Sequence, residues 1–151
     1  MIHMFIIPAN DRIDDCIAIR KKVFVEEQGV PVELEVDEMD SPSAPCFHFL
    51  MLDDEKAGEP VPFGTFRAYY ETADTVHLQR FCVLKEYRAQ GFGRAGFEFV
   101  SEFFRLRGAK KLTFGAQCTA IPFYEKCGCR CVSGVFLDAG LPHRTMEKAL
   151  N

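Results

Sequence analysis

The stretch that decides the fold runs from Val76 to Arg107: VHLQRFCV (76–83), LKEYRAQGFGR (84–94) and AGFEFVSEFFRLR (95–107). The first part reads as a strand. The last reads as a helix from about Gly93 to Arg107, with Gly96, Phe99, Val100, Phe103 and Phe104 as its inner stripe and Gly108 as its stop. Between them Arg88, Ala89, Gln90, Gly91, Phe92, Gly93 and Arg94 form a turn with two glycines and an arginine at each end. A strand that runs through such a turn into a helix presents free backbone N–H groups and the positive end of a helix dipole, and so binds anions. Glycine lets the backbone approach a phosphate with no Cβ in the way.

Working outward, Met4 to Pro8 reads as a short edge strand. Asn10 or Asp11 is placed to cap a helix over about Arg12 to Glu27, with Ile13, Ile17, Arg20 or Lys21 and Phe24 at helical spacing. Gly29 and Pro31 stop it, and residues 29–45 form a loop with one helical turn and an acidic run, Glu33, Glu35, Asp37, Glu38 and Asp40. Strands at Cys46–Leu52, Pro62–Tyr70 and Val76–Val83 are joined by the short polar turns Asp53–Pro60 and Glu71–Thr75, which implies antiparallel pairing. After the long helix come a strand (Lys111–Gly115), a helix (Thr119–Lys126), a strand (Cys129–Phe136) and a last strand near Pro142–Lys148. The expected outcome is an α/β or α+β fold, a mixed sheet with helices on its faces, in a single domain over 1–151.

An apolar fraction of 48% with 15 phenylalanines supplies a core, and a net charge of −4 argues against nucleic acid as partner. No run reaches the roughly 18 apolar residues that span a bilayer, and the N-terminus lacks the basic flank of a signal peptide. A cytoplasmic protein follows, without a membrane or nucleic-acid partner. Its seven cysteines do not form a disulfide framework, and Cys127, Cys129 and Cys131 read as small hydrophobes, with no metal site expected. Exposed strand edges leave room for a homodimer.

The run Gly91-Phe92-Gly93-Arg94-Ala95-Gly96 also satisfies GxGxxG, the dinucleotide fingerprint. That reading requires an acid about 20 residues on for the ribose. None occurs between Glu102 and Glu125, and NAD is disfavoured. The ATP-binding pattern GxxxxGK[ST] is absent too.

The segment His77–Arg94 resembles the GNAT superfamily of N-acetyltransferases, whose signature [RQ]xxGx[GA] matches Arg88, Gly91 and Gly93. Ala120-Ile-Pro-Phe-Tyr-Glu-Lys-Cys-Gly128 looks like the family's AxxFYxxxG helix. Ile19–Gln28 and Gly140–Met146 are similar to a subgroup of small bacterial members, so the resemblance covers nearly the whole chain. It implies a mostly antiparallel, splayed sheet flanked by about four helices. It implies acetyl-coenzyme A as cofactor, with the backbone of Phe81, Cys82 and Val83 on the pantetheine amides, residues 88–94 on the pyrophosphate, and Gln117 where many members carry a cofactor-holding Asn.

Acetyl transfer to an amine needs a neutral nucleophile, a polarised thioester and a proton for the departing thiolate. A phenol of pKa near 10 suits that thiolate, and Tyr124 resembles the family's general acid. A backbone N–H near Phe81 to Val83 is placed to polarise the carbonyl. For the base, Glu27 comes first, with His48, His77, His143 or water as alternatives. The acidic run 33–40 is either an attractor for a cationic amine or a solvated loop. The acceptor is a small-molecule or peptide amine of unread identity, and the competing reading is a non-catalytic acyl-CoA-binding sensor or partner-binding module.

Overall fold

In a computed structural model, residues 3–55 and 58–151 are described. The elements are β1 (Met4–Pro8), α1 (Ile13–Arg20), α2 (Val32–Glu35), β2 (Phe47–Asp53), β3 (Val61–Tyr70), β4 (Thr75–Val83), α3 (Phe92–Arg105), β5 (Lys111–Gln117), α4 (Ile121–Lys126), β6 (Arg130–Cys131), β7 (Phe136–Asp138) and β8 (Leu141–Ala149). Eight strands hydrogen-bond into one mixed, mostly antiparallel sheet. The expected turn Asp53–Pro60 is only partly seen, since Lys56 and Ala57 lie outside the described residues.

Contacts group the chain into two compact units, Met1–Ala68 with Arg80–Gly96, and Tyr69–Gln79 with Phe97–Asn151. In the first, β1 lies antiparallel on β2 and β2 on β3, with a register shift between Met51 and Leu52. Ile13, Cys16, Ile19 and Val23 are buried, as are Phe49, Phe63 and Phe66. Phe49 stacks on Phe66 at 4.9 Å, and Phe66 on Phe81 at 5.2 Å.

In the second unit β5 pairs antiparallel with β8 from Lys111 opposite Ala149 to Gln117 opposite His143. The first residues of β4, Thr75 to His77, run parallel to Lys111–Thr113. β6 and β7 both pair with β8. The core here is Phe97, Val100, Phe104, Leu112, Phe114 and Met146.

Five expectations change. Neither Asn10 nor Asp11 caps α1, whose N-cap residue is Arg12 with no side-chain cap. Asn10 instead brackets the start of β2, donating from Nδ2 to the Cys46 carbonyl and accepting from the His48 amide, both at 2.8 Å. The first helix reaches Glu27, but as α1 followed by a π-helical segment, Lys21–Glu27. Its inward face holds Ile13, Cys16, Arg20 and Val23 in place of Ile17 and Phe24.

The inner stripe of α3 is likewise displaced. Phe97, Val100, Ser101 and Phe104 are buried with Gly96, while Phe99 and Phe103 are half-buried and stack on each other at 6.1 Å. The helix carries aromatics on two faces, Phe97 with Phe104 and Phe99 with Phe103, so periodicity alone does not pick the inner one; packing on Phe114 at 5.7 Å selects Phe97. The single strand expected over Cys129–Phe136 is two, β6 and β7. Ser133 separates them by turning to β8, where its hydroxyl accepts from the Thr145 amide and its carbonyl from Arg144 Nε.

Candidate active site

The glycine-bearing turn hangs from aromatic pins. After β4 the Leu84 amide donates to the Phe63 carbonyl, and one turn of 3₁₀ helix, Lys85–Tyr87, brings Tyr87 inward. Tyr87 stacks on Phe63 at 4.3 Å and donates its hydroxyl proton to Asp53 at 2.9 Å; burial and that carboxylate push its pKa up to about 12. Phe92, the first residue of α3, meets Phe63 edge-on at 5.2 Å. Fixed at both ends, the turn leaves Arg88, Ala89, Gln90 and Gly91 exposed, and Ala89 (φ 61°) and Gly91 (φ 86°) are left-handed. The α3 ladder opens with the Ala95 amide donating to Gly91, so the amides of Phe92, Gly93 and Arg94 precede it. No acid stands in the first turn of α3 to compete with an anion.

Arg88 turns back from the loop. Its Nε donates to the Val83 carbonyl at 2.9 Å, and its two terminal nitrogens grip Glu27 at 2.8 Å each. The hydrogen bonds from Arg88 hold the Glu27 carboxyl below its usual range and weaken it as a base. Of the expected pantetheine strand, Cys82 and Val83 are buried and Phe81 is half-buried. Burial pushes the Cys82 thiol far up, which leaves it unreactive.

In the second unit Tyr124 is 9% exposed within an aromatic nest, its ring 4.6 Å from Phe114, 5.0 Å from Phe123 and 5.6 Å from Phe97. Pro122 in the first turn of α4 pre-sets its backbone for the helix that carries Tyr124. Gln117 closes β5 opposite His143 and precedes the 3₁₀ turn Cys118–Ala120 that leads into α4.

A model of the acetyltransferase (GNAT) domain matches residues 38–150. The chain belongs to the GNAT family of acetyltransferases. It is 37% identical over 140 residues to the uncharacterized N-acetyltransferase YjcF of Bacillus subtilis, covering 92% of this chain and 94% of that one. A solved structure from Lactobacillus plantarum, crystallised as a candidate N-acetyltransferase, superposes with a TM-score of 0.88 at 29% identity, over 98% of this chain and 99% of that one. An aminoglycoside 6′-N-acetyltransferase complexed with coenzyme A shares the fold, with a TM-score of 0.71 at 18% identity over 97% of each chain.

Each base candidate in this GNAT chain already has a partner. Glu27 is held by Arg88. His48 donates from Nε2 to the Met39 carbonyl at 3.0 Å, and burial lowers its pKa. His77 Nδ1 lies 3.0 Å from the Glu71 carboxylate, and His143 donates from Nδ1 to the Leu141 carbonyl at 2.7 Å. Cys127 and Cys129 are buried among the core residues, and burial raises Cys129 to about 12. They pack as the small hydrophobes expected.

The acidic run divides. Glu35 and Asp40 are buried and Asp37 partly so, and three arginines of this chain hold them. Arg20 donates from Nε to Glu35 at 2.9 Å and from both terminal nitrogens to Asp40 at 2.6 and 2.9 Å. Arg67 donates to Asp37 at 2.8 and 2.7 Å and to Asp40 at 2.9 Å. Arg80 Nε lies 2.8 Å from Glu35. Arg20 and Arg67 are each 1% exposed. Burial alone would raise Asp40, but Arg20, the Asp37 amide and Arg67 together outweigh it and hold the carboxyl at about 2. Only Glu33 and Glu38 of the run are exposed. Sequence reading missed these arginines as a group. A charged residue at an inward helix position, Arg20, was the available signal.

Proposed function

We propose that the chain transfers the acetyl group of acetyl-coenzyme A to a primary amine of a small molecule or peptide, by direct attack, within one domain over residues 1–151. The loop from Arg88 to Arg94 carries this reading: exposed, glycine-bearing, pinned by Tyr87 and Phe92, and followed by a helix whose first turn holds no acid. Its amides suit a pyrophosphate, and the aminoglycoside N-acetyltransferase of the same fold is complexed with coenzyme A. Backbone groups of Phe81, Cys82 and Val83 would take the pantetheine and polarise the thioester carbonyl, with Gln117 beside the cofactor and Tyr124 giving the thiolate its proton. Arg88 has two suitors in this scheme. A pyrophosphate carries more negative charge than Glu27, so donor binding draws Arg88 off and returns Glu27 to ordinary basicity. Glu27 then takes the amine proton, directly or through water. The absence of a helix long and apolar enough to cross a membrane, among the described residues, is compatible with a cytoplasmic place. Homodimer formation belongs to the same proposal.

Thermal shift with acetyl-CoA, CoA and NAD tests the donor, since a ligand at about 100 times its Kd adds about 2.7 kcal/mol. A shift with NAD alone would overturn the reading. Thiol release across an amine panel then separates an enzyme from a non-catalytic acyl-CoA sensor, the reading that the partnered bases favour. Tyr124→Phe is expected to lower kcat by about 10²-fold or less with little change in donor affinity. Unchanged turnover removes Tyr124 from the mechanism. Glu27→Gln should abolish the acidic limb of the pH–rate profile; a retained limb passes the test to His48, His77 and His143, and an identical limb in all four single variants would make water the proton carrier.

A further inference from the structure

Arg80 stands inside β4 with φ 57°. The other left-handed non-glycine residues described, Ala89 and Ala139, lie in turns, where such a backbone is ordinary. Inside a strand it is not, and a long side chain gains nothing from it. Such a residue persists only where its surroundings over-determine it. At Arg80 the surroundings are visible. Its Nε lies 2.8 Å from the Glu35 carboxylate, an ion pair out of line for a hydrogen bond, its Nη2 lies 3.4 Å from Asp37, and Nη2 donates to the carbonyls of Leu34 and Glu35 at 3.4 and 3.3 Å. Glu35 does not yield, because it is 3% exposed and Arg20 holds both its carboxylate (2.9 Å) and its carbonyl (2.6 Å). Asp37 is gripped in turn by Arg67 at 2.7 Å.

The consequence falls on the next three residues. A left-handed residue in a strand shifts the phase of the backbone beyond it, as a bulge does. The alternation through Val76 and Leu78 gives way to two consecutive buried residues, Cys82 and Val83. These, with Phe81, are the residues whose backbone is assigned to the donor above. Glycine would adopt this backbone without strain but offers no side chain to fix it.

We infer that Arg80 is a positioning residue: its tether to Glu35 and Asp37 holds the left-handed break in β4 and so aims the Phe81–Val83 backbone at the acyl donor. Arg80 touches neither donor nor acceptor in this scheme. The inference rests on the proposed donor site, and it makes the α2 turn, which supplies Glu35, a determinant of donor handling. It also explains why an arginine occupies a backbone position that favours glycine.

Wild type, Arg80→Gly, Arg80→Lys, Glu35→Gln and the double variant Arg80→Gly/Glu35→Gln are compared for thermal midpoint, acetyl-CoA Kd, and KM and kcat with an amine that the wild type accepts. Arg80→Gly is expected to fold, since relief of strain offsets the lost tether. It should raise the acetyl-CoA Kd about tenfold and lower kcat by a similar factor, with the amine KM within about twofold of wild type. Adding Glu35→Gln should weaken donor binding no further, because the tether is already cut. Wild-type Kd and kcat in Arg80→Gly, or full additivity in the double variant, overturns the inference while leaving the donor reading standing. A wild type that binds no acetyl-CoA overturns both. If Arg80→Gly does not fold, Arg80→Lys decides: weaker donor binding at an unchanged midpoint supports the tether, and equal binding overturns it.

Discussion

The loop after α1 and the loop before α3 are both rich in charge, and they are built in opposite ways. Between residues 33 and 40, carboxylates turn inward and meet arginines from α1, β3 and β4. Between residues 88 and 94, Phe92 packs inward on Phe63, Arg88 turns back to Glu27, and Ala89 and Gly91 are exposed and left-handed ahead of the first turn of a helix. The first loop uses charge to fix its own shape. The second is the loop proposed above for the donor. A charge run is therefore a poor indicator of a binding site, because the same residues serve as mortar whenever opposite charges lie within reach. The first amides of a helix precede its own hydrogen-bond ladder, so a helix start suits an anion by geometry.

The contrast is sharpest in stability. Arg20→Met takes from Glu35 and Asp40 the arginine they share, and breaking a buried pair of this kind costs about 3–5 kcal/mol. Urea unfolding should show that loss, and a change below about 1 kcal/mol would return the acidic run to the class of surface charge. Acid probes the same cluster more gently. Asp40 sits at about 2 in the fold against roughly 3.9 unfolded, so its contribution is present above pH 4 or so and is lost as pH falls toward 2. Asp37, lowered chiefly by Arg67 against the opposing effect of burial, adds in the same direction. The urea midpoint should fall between about pH 5 and pH 2, and Asp40→Asn should remove much of that slope while lowering stability at pH 7. A slope identical to wild type would exclude Asp40 as its source.

The smallest effect belongs to the other loop. A methyl group on Gly91 would meet nothing within 4 Å, so Gly91→Ala suffers only from the left-handed φ of 86°. The free, exposed loop can relax out of that conformation, so the strain, about 1 kcal/mol, is met on binding and should appear as an acetyl-CoA Kd raised about fivefold with a nearly unchanged urea midpoint. The reverse pattern, lost stability with intact binding, would make the glycine a folding residue and not a donor residue.

Much of this protein was legible along the chain because its determinants are local. The order of strands and helices, the glycine turn and the Phe123-Tyr124 helix each depend on residues within a few positions of one another, as caps, turns and periodicities do. The family followed from those motifs, and the matched domain over 38–150 agrees with it. Where local signals were degenerate, reading failed. Asn10 had a capping residue's chemistry but found its partners at Cys46 and His48, 36 and 38 positions away. Phe97, Phe99 and Phe103 were equivalent as hydrophobes until Phe114 distinguished them. The state of Glu27 depended on Arg88, 61 residues on.

What the chain determines by itself, then, is the glycine-bearing turn and the order of elements around it, since these signals lie in residues close in sequence. What tertiary structure decided was the state of the charged side chains: which carboxylates are buried, which are paired, and which arginine is bent into a left-handed break. Coulomb attraction and burial act between residues that are close in space. Nothing in the spacing of Arg20, Arg67 and Arg80 reveals that all three meet the acids of one short loop.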